Sequence, residues 1–268
     1  MILINVLAMV AVATSVVMLM IGGEAAAIDG ARLRREAVEA MAIAQGGEAA
    51  AVAALARDAL VAAGTDNATE PWARLAQAAT PIDGGSFAFA IRDAQGRFNV
   101  NAAAGSGEPM LASIVAALGL PADLASRIAA TIGTGGPIGD LDQLARAGIA
   151  PAAIATLRTM VVPLPGTADI NVNAASADLL GVLLGDRAAG RLLAGRRDTA
   201  GFLTVEDVAL TGRALPAGAG FTSDHFLARA TVRIGDARQV LTSLIERRHG
   251  DRPETLVVAR WRGAGAPG

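Results

Sequence analysis

The sequence predicts an α+β fold in which one long N-terminal helix packs on an antiparallel sheet and a large helical insert interrupts that sheet. Three observations lead there. Residues 1–63 contain no proline and read as one helix, uniformly apolar at first and amphipathic later. Strand-like stretches, SFAFAIR at 86–92 and FLARATVRI at 226–234, stand on either side of the middle of the chain. Between them, residues 108–214 are helix-like and punctuated by glycine and proline.

Composition sets the limits on function. The 268 residues carry 23 basic and 25 acidic side chains, a formal net charge of -2, so the broad positive field of a phosphate-binding protein is missing. With no cysteine there is no disulfide, thiolate metal site or cysteine nucleophile, and an oxidising compartment is permitted. Every basic residue is arginine, which removes a Walker A lysine and Schiff-base chemistry. The two histidines, His225 and His249, stand in strand-edge and turn sequence and read as surface or satisfied residues. Ser106 lacks the strand–turn–helix setting of a nucleophile elbow. No enzyme and no small-molecule substrate is expected.

The first element, residues 1–23, carries no charge before Glu24. At about 1.5 Å per residue it reaches roughly 34 Å, enough for a hydrocarbon core of about 30 Å. It reads as a membrane span, and Gly22-Gly23 is a place for it to bend. The second half of the helix, residues 24–64, places Val38, Met41, Val52, Leu55 and Ala59 on one face expected to be buried, with Gly64 as its stop. In residues 65–107, SFAFAIR, the turn DAQG and RFNV read as a β-hairpin. In residues 215–268, Phe226, Ala228, Ala230, Val232 and Ile234 form one face of a strand. Gly235-Asp236 then turns into ARQVLTSLIERR, and HGDRP turns again into ETLVVARW, closing an antiparallel meander.

The insert, residues 108–214, echoes itself. Residues 118–148 and 183–210 share an order of apolar pair, turn, helix, Gly-containing loop and capped second helix, with Asp140 at one cap and Thr204 with Asp207 at the other. Asn-Val-Asn-Ala-Ala also occurs twice, at 99–103 and 171–175. Asparagine tolerates turn geometry and bonds the backbone two residues on, so Asn99, Asn101, Asn171 and Asn173 read as junction residues, with Ser176 and Asp178 capping the helix after the second pair.

With IRDAQGRFNVNA, LPGTADINVNAASADLL, FLTVEDV, the SDHFLARATVRI meander, Trp72 and the apolar start MILINVLAMV in this order, the chain resembles the minor pseudopilin K family of bacterial type II secretion systems along nearly its whole length. The resemblance implies a pilin-like fold whose insert holds tandem helix-hairpin-helix or SAM-like units. It implies a non-enzymatic, single-pass subunit of the inner membrane with its bulk in the periplasm, at the pseudopilus tip with the minor pseudopilins I and J and other secretion-system components. Asn5 stands where most pilin-like subunits carry glutamate, if Met1 is the first mature residue, and the basic leader of such subunits is not in this sequence. The family's acidic calcium loop is reduced here to IGTGGPIGDLDQL, which offers only Asp140 and Asp142 as metal candidates. Calcium takes about six to eight oxygens, so a helix cap is the favoured reading and no cofactor is certain.

A second reading is a membrane-anchored helix-hairpin-helix protein for DNA binding or uptake, because INVNAASADLL to GFLTVEDV also looks like that repeat. Against it, the turn LLGDRAAG puts Asp186 where a phosphate would sit. From 169 to 213 five arginines face six acids, leaving Arg191, Arg196 and Arg197 as a local patch, so nucleic acid is not expected.

Overall fold

The computed structural model describes residues 2–61, 64–248 and 253–263. Helix α1 runs from Ile2 to Val61, unbroken at Gly22-Gly23. Five strands form one antiparallel sheet: β1 (Gln77–Ile82), β2 (Gly85–Asp93), β7 (His225–Ile234), β8 (Ala237–Arg248) and β9 (Glu254–Arg262), in that spatial order. Between β2 and β7 lie β3 (Phe98–Asn99), α2 (Glu108–Ala117), α3 (Leu124–Gly135), α4 (Pro151–Leu157), β4 (Val161–Val162), β5 (Ile170–Asn171), α5 (Ala177–Leu183), α6 (Arg187–Ala200), α7 (Val205–Ala209) and β6 (Ala219–Gly220). The architecture is the α+β arrangement the sequence predicts: a long helix, an antiparallel sheet and a helical insert. Gly64 lies in a turn beyond the described helix end, and His249 with the HGDRP turn falls outside the described residues.

The meander follows from its alternation. Phe226, Ala228, Ala230, Val232 and Ile234 are buried on the face that meets α1, and Gly235-Asp236 joins β7 to β8 at Ile234 opposite Ala237. The predicted hairpin at DAQG does not form. Instead β2 pairs with β1 across Asp83-Gly84, and Phe98–Asn99 pairs in parallel with β4. Both edges of β2 are occupied, by β1 and β7, so no edge remains for RFNV. Gln95 completes the diversion: its side chain accepts from the backbone N–H of Asp224 and His225 and donates to the carbonyl of Asp169, sending the chain outward.

The insert has its own apolar core. It takes in Phe98, Val100 and Ala103, ahead of residue 108, runs through Ile114, Ile128, Leu144 and Leu180, and is covered at its end by Leu215 and Phe221. Two units share one plan within it. Each opens on a two-residue strand, follows with Asn-Val-Asn-Ala-Ala, a helix pair and a third, shorter helix, and closes on a parallel two-residue strand, β3 on β4 and then β5 on β6. The turns inside the pairs match as well, since Gly119 and Gly185 adopt φ of 67° and 62°, a region a side chain would strain.

Candidate assembly site

Among the described residues, nothing covers the amino-terminal third of α1. Ile2–Met20 has a mean hydropathy of 2.5, none of it is buried, and Leu3, Leu7, Met9 and Leu19 stand exposed. At about 1.5 Å per residue its length matches a bilayer core. Its hydroxyls are satisfied within the helix, Thr14 donating to the Val10 carbonyl and Ser15 to that of Ala11, both at 2.8 Å, as lipid requires. Asn5 is exposed among the apolar residues. This segment has the length and character of a single membrane anchor.

The later part of α1 is sealed to the sheet by small residues. Ala40, Ala44, Ala51 and Leu55 are fully buried, and Gly47 brings the helix backbone so close that a Cβ there would lie 3.2–3.3 Å from the rings of Phe87 and Phe89. The expected face is therefore rotated. Leu55 is central and Met41 and Val52 flank it half-buried, whereas Val38 is 70% exposed. The reason is steric: a bulky stripe would hold the helix away from the two phenylalanines, so alanine and glycine take the contact and the larger side chains move to its margins or beyond.

Polar bonds fasten this seam at three heights. Arg32 pairs with Asp236 at 3.0 Å, and Glu36 accepts from the Asp236 backbone N–H at 3.1 Å. Glu48 binds Arg260 through both carboxylate oxygens, at 2.7 and 2.8 Å, and accepts from the Ser243 hydroxyl. The Arg260 bond holds the Glu48 carboxyl below its usual range. Asp58 pairs with Arg247 at 3.1 Å, both side chains buried.

The four asparagines sit at corresponding places in the two units. Asn101 donates to the carbonyls of Ile138 and Leu164 and accepts from the Ile138 N–H; Asn173 accepts from the Leu203 N–H and donates to Thr65. Asn99 accepts from the Asn101 and Leu164 N–H groups and donates to the Gly166 carbonyl. Asn171 accepts from the Asn173 N–H, and its amide lies within 3.0 Å of the Asp66 carbonyl, Asp93 Oδ2 and Ser223 Oγ. Each first asparagine thus ties its unit to neighbouring chain, and each second one pins the loop behind the longer helix of the pair.

Below Asn171 lies a polar core invisible in the sequence. Arg247 reaches Asp66 at 2.5 Å as well as Asp58, and stacks 4.6 Å over the Phe226 ring, against which Trp72 packs edge-on at 5.1 Å. Burial pushes Glu70 up to about 7 although Trp72 and Asn67 donate to it, and pushes Asp93 up to about 6. His225, expected at the surface or satisfied, is buried: Nδ1 lies 3.2 Å from Gln95 Oε1, Nε2 has no partner among the described residues, and burial lowers its pKa. The strand alternation gives no such signal, because it sets His225 on the face of exposed Arg229 and Arg233; that face is covered only at this end of the strand, where Val162 and Leu164 pack on Leu227.

The metal candidates do not fit calcium. Asp140 caps the turn at Leu141–Ala147 by accepting from the Asp142 N–H, and Arg158 pairs with Asp140 at 3.1 Å and Asp142 at 2.8 Å, so a guanidinium occupies the place a cation would take. The arginine patch of the second unit is largely spent. Asp186 caps α6 and pairs with Arg213, Arg196 pairs with Asp207, and Arg197 turns onto the carbonyls of Val172, Asn173 and Ala175, which leaves Arg187 and Arg191 at the surface.

No protein-family model and no characterised relative matches the sequence. Among solved structures, the chain is similar to one in the crystal structure of the GspK-GspI-GspJ complex of the enterotoxigenic Escherichia coli type 2 secretion system. The TM-score is 0.68 at 18% identity, over 88% of this chain and 99% of that one. The shared feature is the fold, a pilin-like helix and sheet carrying a helical insert.

Proposed function

We propose that this protein is a minor pseudopilin of a bacterial type II secretion system, held by one helix in the inner membrane with its bulk in the periplasm and placed at the tip of the pseudopilus. The observation that carries the reading is the division of α1. One unbroken helix is wholly exposed and apolar over Ile2–Met20, then latched to the sheet by Glu36, Glu48 and Asp58. A helix built so is stored in lipid and, on leaving it, offers its apolar half to the corresponding helices of other subunits. Its role is mechanical rather than catalytic, and its partners are the minor pseudopilins I and J. The fold likeness to a chain crystallised in a GspK-GspI-GspJ complex supports that choice. Asn5 places an uncharged amide in the apolar segment, which spares the cost of an unpaired carboxylate in lipid.

The test is co-expression of the full chain with minor pseudopilins I and J, extraction in mild detergent and size-exclusion chromatography, beside a DNA titration at moderate salt. A stable ternary complex without DNA affinity is expected. Salt-sensitive DNA binding without any such complex would replace the assembly reading with the DNA-uptake one.

A further inference from the structure

Four ionisable side chains are buried where the long helix, the loop after it, the sheet and the insert meet. α1 brings Asp58, the loop brings Asp66 and Glu70, and β8 brings Arg247; all are at most 8% exposed. One carboxylate oxygen from each acid lies within 4.8 Å of the others. Arg247 bonds Asp58 and Asp66, at 3.1 and 2.5 Å, and its second duty is the Ser223 carbonyl. Glu70 has no arginine; its oxygens accept instead from Asn67 Nδ2 and Trp72 Nε1, both at 2.7 Å. Three ionised carboxylates against one guanidinium would leave excess negative charge in a space largely closed to water, and that charge is relieved when one carboxyl stays protonated.

We propose that Glu70, packed against Asp58 and Asp66, holds a proton and so forms a pH-sensitive latch between the end of the long helix and the insert. The geometry makes the proton structural. Asp66 is also the post to which the insert is tied: its Oδ2 accepts from the Ser223 N–H at 2.7 Å, its carbonyl from Asn171 at 2.9 Å, and its N–H donates to the Phe221 carbonyl at 2.8 Å. Repulsion within the triad is therefore repulsion between Asp58 on the helix and the loop that carries the insert. The charged groups packed around Glu70 are Asp58 from α1, Asp66 from its own loop and Arg247 from β8. From β2, Asp93 shares the Asn171 amide with Asp66; the insert contributes the uncharged Asn171 and Asn173. A cavity of about 220 Å³ lined by Ala54, Arg57, Asp58, Val61, Pro71 and Leu75 meets the cluster at Asp58.

Glu70 lies near 7, raised first by burial and then by Asp58 and Asp66, while Asp58 is raised as well. A carboxyl raised in the folded state binds more protons folded than unfolded, so the latch is tightest below the ordinary carboxylate range and loosens as pH climbs toward 7 and past it.

The experiment uses the full chain in detergent micelles. Thermal unfolding from pH 5 to 8 is compared for the wild type and Glu70→Gln, with amide exchange followed at Ser223 and Asp66 and infrared absorption in the protonated-carboxyl region. The wild type should lose several degrees of Tm between pH 5 and 8, show faster exchange at those amides after correction for intrinsic rate, and lose a carboxyl band near pH 7. Glu70→Gln should shrink the fall in Tm above pH 6 and remove the part of the band that is lost near pH 7, leaving the part that Asp93 contributes and loses near pH 6. Parallel Tm profiles in the two proteins would overturn the proposal. If Glu70→Gln does not fold, the wild-type band decides: its absence at pH 6 would overturn the latch and its loss near pH 7 supports it. A rise in Tm on adding calcium at pH 8, abolished by Glu70→Gln, would instead make the triad a cation site and overturn the proton.

Discussion

Asn171 shows how much one side chain can hold together. Its amide reaches Asp66, Asp93 and Ser223, its carbonyl oxygen holds the Asn173 N–H, and it is fully buried. Asn171→Ala takes the partner from the Asp66 carbonyl and the Asn173 N–H, at about 1–3 kcal/mol each before relaxation, while Ser223 and Asp93 keep the bond between them. Ser176→Ala removes one cap bond, to the Leu179 N–H, and costs about 1 kcal/mol. Urea unfolding should therefore rank Asn171→Ala well below Ser176→Ala in stability, and equal losses would contradict the network. His225 gives a pH effect opposite to that of Glu70. Its folded pKa is depressed by burial, so below about 6.5 the unfolded chain takes up the proton more readily and stability falls as pH falls. His225→Gln should flatten stability between pH 6.5 and 5 relative to the wild type, and superimposable acid limbs would show that His225 charges without penalty. Neither residue's burial was legible from composition. Asp58, Asp66, Glu70, Asp93 and Arg247 are residue types usually found at surfaces, and chain reversals bring them together from widely separated positions; Trp72 beside them was the one aromatic hint.

Patterns set by near neighbours in the chain are legible in the sequence, and contacts made between distant segments are not. The β7–β8 meander, the caps at Asp140, Ser176 and Thr204 and the repeated units follow from alternation and short-range hydrogen bonding. β1 gave no signal, since QAATPI lies at a sheet edge, is exposed over nearly all its length and has no alternation to detect. Apolar bulk marks the wrong face of α1, because close approach to the sheet selects the smallest residues, Ala40, Ala44, Gly47 and Ala51. Two neighbouring glycines turn this into a test. Gly46 has open space around its Cβ position, so Gly46→Ala should stabilise by up to about 1 kcal/mol through helix propensity alone. Gly47 faces Phe87 and Phe89, so Gly47→Leu should destabilise by about 1–3 kcal/mol through overpacking. Chemical denaturation of both variants decides it; a Gly47→Leu protein as stable as the wild type would mean the helix is not seated on those rings.

At the scale of the whole molecule, the insert leaves and rejoins the sheet at one point. The Ala94 N–H donates to the His225 carbonyl at 2.9 Å, and Asp93 is in register with Phe226, so the two ends of the intervening chain are neighbours. Replacing residues 96–222 by a short Gly-Ser linker therefore asks little of the sheet: the seam through Ala40, Ala44, Gly47 and Leu55 stays, as does the Arg247 pair with Asp58. What goes is the set of bonds from Asn171 and the Gln95 bond to the Asp169 carbonyl, together with the cover over Leu227 and Leu244 that Val162 and Leu164 provide. The shortened chain should still unfold cooperatively but at a lower Tm, because buried polar groups at the junction lose partners while the helix-to-sheet core is kept. Failure to fold would show that the two cores are one cooperative unit. If it folds, complementation of a secretion-defective strain separates the insert's roles. Full secretion would mean that its bulk does nothing essential, whereas lost secretion with retained binding to minor pseudopilins I and J would place its contribution beyond subunit recruitment.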